Sequence, residues 1–152
     1  MAVDFDKFDE AVNLKELQND IDEAPDTSDV PKGQYITSVE KMEITTTKDG
    51  KKLMFTMWLK IKEGKQQGRL LFFNRVISGN KSEKWTDAKA IKSVITMLEK
   101  FDTDIVPVFI SYKDFAGLVL DIFQEIKGKV ELDIDYDKDA FNSVSIRDVY
   151  DV

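Results

Sequence analysis

Between Lys48 and Arg75 lysines and arginines are interleaved with aromatic rings. In the run Lys52-Leu-Met-Phe-Thr-Met-Trp-Leu-Lys-Ile-Lys62, a strand would turn Leu53, Phe55, Met57, Leu59 and Ile61 to one face. Lys52, Met54, Thr56, Trp58, Lys60 and Lys62 would take the other. The first set is a core face. The second sets an indole in a row of lysines, and rings flanked by cations let a sheet stack bases while attracting phosphates. Arg69 to Ile77 reads as the neighbouring strand. With Leu70, Phe72 and Val76 inward it adds Arg69, Leu71, Phe73 and Arg75 to the Trp58 face, although a strand apolar on both sides leaves the reverse register open. Asp49-Gly50 marks a hairpin turn whose Lys48 and Lys51 could close over a bound strand. The candidate nucleic-acid-binding set is therefore Lys48, Lys51, Lys52, Trp58, Lys60, Lys62, Arg69, Phe73 and Arg75, with Trp58 and Phe73 stacking bases and the cations holding phosphates. The competing account makes Trp58 the cover of a second apolar layer and the lysines a solubilising surface.

Other chemistries find little support. The 152 residues include no cysteine and no histidine, which removes disulfides, thiolate metal sites and the usual general base. Asp133-Ile-Asp-Tyr-Asp-Lys-Asp139 resembles the start of a calcium loop, but the positions that need Gly and Glu hold Lys138 and Val144, or Ala140 and Ile146 in the shifted count. An acidic outer strand face explains it better. Asp121 and Glu125 are an i, i+4 pair of solvated helix acids. No phosphate-binding glycine loop is present. The expectation is a non-catalytic protein without cofactor or metal.

The elements that must position the candidate set follow from period and turn signals. Residues 1–31 hold ten acids and two lysines, 32–100 fifteen basic residues and seven acids, and 101–152 five basic residues and twelve acids. The formal net charge of -7 thus hides a basic middle between acidic ends, an asymmetry that points to polyanion binding. Residues 1–33 read as an acidic arm in which Asn13 caps a short helix with Leu14, Leu17 and Ile21 on one side, with 26–33 as its linker. The arm either packs on the domain by that strip or is an acidic segment that competes with nucleic acid for the basic face or docks on a partner. A domain over 34–152 begins with a strand at 35–44 that carries a bulge. The Trp58 strand and the 69–77 strand follow. Apolar residues at helical spacing, Trp85 to Phe101, predict a helix over 83–102, and a second spans 114–126 with Gly128 closing it. Lys129 to Tyr136 alternates with Val130, Leu132, Ile134 and Tyr136 inward, and a last strand over 142–150 buries Val144 and Ile146. Three strands, two helices and two strands predict an α+β domain in the form of a five-stranded Greek-key OB-fold-like barrel.

No apolar run reaches the roughly 20 residues of a membrane span, and the amino terminus lacks secretory-signal features, so the expected location is cytoplasmic. Val3-Asp-Phe-Asp-Lys-Phe8 with Asn13-Leu-Lys-Glu-Leu17, Val30-Pro-Lys-Gly-Gln-Tyr35, the Lys48-Asp-Gly50 turn, Glu63-Gly64 with Gly68-Arg69, and Phe141-Asn-Ser-Val-Ser-Ile-Arg-Asp-Val-Tyr-Asp151 together carry a family outline. The chain resembles small phage-encoded proteins of formerly unknown function that are often labelled single-stranded DNA-binding proteins. The resemblance implies a place in the DNA replication or recombination modules of phages of Gram-positive bacteria, in the host cytoplasm. It implies single-stranded DNA as ligand and replication or recombination proteins of phage or host as partners, with a homo-oligomer left open. The alternative function is a protein-interaction adaptor that engages a partner through its acidic arm and basic face.

Overall fold

The structure, a computed structural model, describes residues 3–23, 30–140 and 142–152. Two helices open the chain, α1 (Phe5–Glu10) and α2 (Leu14–Glu23), followed by strands β1 (Gly33–Thr46), β2 (Leu53–Ile61) and β3 (Leu70–Val76). Helices α3 (Asp87–Glu99) and α4 (Tyr112–Ile126) come next, then β4 (Val130–Asp137), a 3-10 turn (Lys138–Ala140) and β5 (Ser143–Asp151). The five strands form one open antiparallel sheet in the order β3-β2-β1-β4-β5. β1 is the shared strand: its carboxy-terminal part pairs with β2, its first residues with β4, and Thr37 with both.

Local chemistry sets the element ends. The Asp49 carboxylate accepts from the Thr47 hydroxyl at 2.6 Å and the Lys51 N–H at 3.0 Å, which closes the β1–β2 turn over Gly50 at φ +72°. Thr86 and Ser111 cap α3 and α4 through their hydroxyls, and Asn13 caps α2 by accepting from the Glu16 N–H at 3.1 Å. The expected helix over 83–102 is shorter than its apolar spacing suggested, because Thr86 starts it. Trp85 therefore lies outside the helix.

Both helices cover one face of the sheet, α4 chiefly against β1 and α3 against β3. Phe55, Met57, Leu59 and Ile61 of β2 meet Val94, Leu98, Phe115, Val119 and Ile122 in that core, and Leu132, Ile134, Tyr136, Val144 and Ile146 extend it under β4 and β5. The expected inward sets of β4 and β5 are buried, and so is that of β2 except for half-buried Leu53; Thr56, expected on the outer face, is buried as well. The arm differs from expectation. Phe5, Phe8, Leu14, Leu17 and Ile21 are all exposed, so its apolar strip is not packed on the domain. The linker expected at 26–33 lies outside the described residues as far as 29; beyond it Val30 is buried.

Candidate nucleic-acid interface

Among the described residues, no helix packs on the second face of the sheet at Trp58; α3 and α4 lie on the core side. Strand pairing sets Lys41 of β1 and Phe72 of β3 on either side of this residue. The Trp58 and Phe72 rings meet edge to face, 5.2 Å between centroids at 87°. Lys41 Nζ stands 4.5 Å over the indole and also pairs with Glu43 at 3.1 Å. Glu40, Lys41, Trp58, Lys60, Gly68 and Leu70 line an open hollow of about 470 Å³. Trp58 itself is half-buried, whereas Phe72 keeps 46% of its surface exposed. Two flat rings with a cation above one of them can stack bases.

Of the predicted residues, Trp58 and Lys60 share this hollow. Lys62 is exposed one residue beyond β2 and keeps the parity of Lys60. Phe73 corrects the expected register. It is 3% exposed and packs against Phe55 in the core, because Phe73 is opposite Met57 while Phe72 is opposite Trp58. Leu71 turns inward with it, and Leu70 and Phe72 turn outward. Arg75 is corrected for the same reason: on the helix side its Nη1 donates to Ser93 Oγ of α3 at 2.8 Å, and burial lowers its pKa. Arg69 has the parity of Leu71 and donates to Gln66 Oε1 at 3.0 Å in the β2–β3 connection. Lys48, Lys51 and Lys52 are exposed but gather at the far end of β2, where the Lys52 stem lies against Gly79. Six residues of strand, about 20 Å, separate Lys52 from Trp58.

Two contributors escaped the sequence. Phe72 was legible only as the alternative register. Lys41 reaches Trp58 because a bulge between Val39 and Lys41 reverses the alternation of β1 at Glu40. Beyond β1 the same sheet face turns acidic with Glu131, Asp133, Asp135 and Asp148. Gln34 Nε2 donates to both Asp133 oxygens at 2.9 and 3.0 Å, and Arg147 pairs with Asp135 at 3.2 Å. Asp148 and then Asp133 help to push the Tyr150 phenol pKa up, as a local negative field requires. Among the described residues, no cluster of carboxylates could hold a metal ion, and no helix is long and apolar enough to cross a membrane.

Comparison with curated proteins and with solved structures returns no match. A family model described as "Protein of unknown function (DUF669)" matches residues 17–146, which takes in α2 from Leu17, all five strands up to Ile146 and both long helices. With most of its length inside that match, the chain belongs to the DUF669 family.

Proposed function

We propose that this protein binds single-stranded DNA, without catalysis and with little sequence preference, in phage DNA replication or recombination. The observation that carries the reading is the Trp58–Phe72 pair on the uncovered sheet face, beside Lys41 and Lys60. The family outline in the sequence supplies the phage setting. We read the five strands as an OB-like barrel left open between β3 and β5, in which β2 and β3 carry the ligand.

Phe72 offers its ring directly. A base on Trp58 must displace the Lys41 ammonium, and a cation over an exposed ring contributes roughly 0.5–1 kcal/mol against about 1–3 kcal/mol for a stacked base. The exchange therefore favours the base and leaves Lys41 beside the backbone. Glu40 in the hollow and Glu43, paired with Lys41 outside it, offset much of the charge of Lys41 and Lys60, so this hollow holds DNA by stacking more than by attraction. Titration with oligo-dT at low salt tests the proposal: tryptophan emission falls on binding, and Phe72→Ala weakens the complex. A protein that binds no oligo-dT even at the lowest salt refutes it.

The exposed apolar residues of α1 and α2 favour the adaptor as the second reading. It predicts that a protein partner is captured through the arm while DNA binding is weak and unaffected by Phe72→Ala.

A further inference from the structure

A second concentration of positive charge on the described surface lies away from the Trp58 hollow. At the far end of β2, the β1–β2 turn meets the segment that leads into α3: the Leu53 N–H donates to Ser78 Oγ at 2.7 Å, and Lys52 packs along Gly79, whose φ of +75° suits the close approach. Exposed Lys48, Lys51 and Lys52 come from the turn, and exposed Lys81, Lys84, Lys89 and Lys92 from the segment and the first turns of α3. With Arg75 these eight cations face only three acids in the same segments, Asp49, Glu83 and Asp87. Two of those acids are engaged by the backbone. Asp87 accepts from the N–H groups of Asn80 at 2.8 Å and Gly79 at 3.2 Å, and Asp49 from the N–H of Lys51 at 3.0 Å.

An aromatic ring stands in this cluster. Trp85 precedes α3, keeps 39% of its surface exposed, and has the Arg75 guanidinium 5.3 Å from its ring centroid. Arg75 is itself held, 5.1 Å from the Phe73 ring and hydrogen-bonded to Ser93. The indole is thus positioned by a fixed cation and preceded directly by exposed Lys84, whose carbonyl accepts from Lys89 Nζ at 3.0 Å. This is the combination that stacks a base and neutralises its phosphates. Arg75 is three residues from Phe72 along β3, about 10 Å, and β3 is an edge strand paired with β2 alone.

We infer that Trp85, positioned by Arg75, is a second base-stacking subsite, and that a bound single strand passes from Phe72 around the β3 edge to Trp85, with the lysines of the β1–β2 turn and of 81–92 taking its phosphates. The inference rests on the single-stranded DNA reading and adds to it the path of the strand and the source of its charge attraction.

Two single-tryptophan proteins separate the claims. Trp58→Phe leaves Trp85 as the only reporter, and Trp85→Phe leaves Trp58. Each is titrated with oligo-dT of increasing length. The expected result is quenching of both indoles by the longer oligonucleotides, with Trp85→Ala weakening their binding at least about fivefold, the equivalent of one stacked base. Quenching of Trp58 with Trp85 emission unchanged overturns the second subsite and leaves the function standing. Quenching of Trp85 alone keeps the subsite and removes the Trp58 hollow from the path. Absence of any binding by either protein overturns both.

Discussion

Phe72 and Phe73 are adjacent and chemically identical, yet the sheet gives them opposite duties. Phe73 fills core between Phe55 and the helices, and Phe72 stands in water against Trp58. Phe73→Ala should therefore destabilise the fold by about 3–5 kcal/mol, read in urea unfolding, with DNA affinity lost only as the folded fraction falls. Phe72→Ala should leave the unfolding midpoint nearly unchanged and weaken oligo-dT binding by roughly 5- to 150-fold, the equivalent of about 1–3 kcal/mol of stacking. Equal unfolding midpoints for the two variants would reverse the register. At the same scale, Asp49 and Asp87 carry lowered pKa values, Asp49 first from the Thr47 hydroxyl and Asp87 first from the Asn80 N–H. A folded pKa below the ordinary 3.8 means that their contribution is complete above that value and lost as pH falls through the lower, folded one. Carboxyl titration by NMR should place both midpoints under 3.8, with amide protection at Lys51 and Asn80 lost over the same acid range.

At the scale of elements, the bulge at Glu40 and the late start of α3 shape the surface. The bulge turns Lys41 toward Trp58, where strict alternation would have buried it. The Thr86 cap leaves Trp85 outside the helix, next to Arg75, instead of on the apolar stripe its spacing suggested. The arm is the opposite case: α1 and α2 form with their apolar residues exposed. Deleting residues 3–22 should accordingly shift the thermal midpoint of the rest by less than about 2 °C, well under 1 kcal/mol. A loss of several degrees in calorimetry would show that the arm packs on the domain in solution.

For the whole molecule, the formal charge of -7 is less informative than its distribution. β4 and β5 turn acids outward, the hollow at Trp58 is lined by two lysines and one glutamate, and a larger group of lysines lies around the β1–β2 turn and the start of α3. On the proposed reading, a nucleic-acid backbone would be repelled at one end of the sheet and attracted at the other. Salt dependence measures the attraction. If about four phosphates are neutralised, the logarithm of affinity should fall with the logarithm of salt at a slope near -3, and Lys84→Gln with Lys89→Gln should flatten it by about 1.4. A slope unaltered by those two changes would move the phosphate path elsewhere.

The alternation of β4 and β5, the Asp49-Gly50 turn, the Asn13 cap and the acidic outer strand were all determined by neighbours in sequence, because period and capping act within a few residues. The Trp58 strand was legible for the same reason: only one of its faces is uniformly apolar. Leu70-Leu-Phe-Phe73 offers nearly equal apolar burial on either side, so its register was decided by pairing with β2 and by which face α3 and α4 cover. That choice removed Phe73 and Arg75 from the candidate face and put Phe72 on it. Lys41 beside Trp58 and Arg75 beside Trp85 are contacts between residues distant along the chain, and such contacts exist only once the sheet and helices have packed.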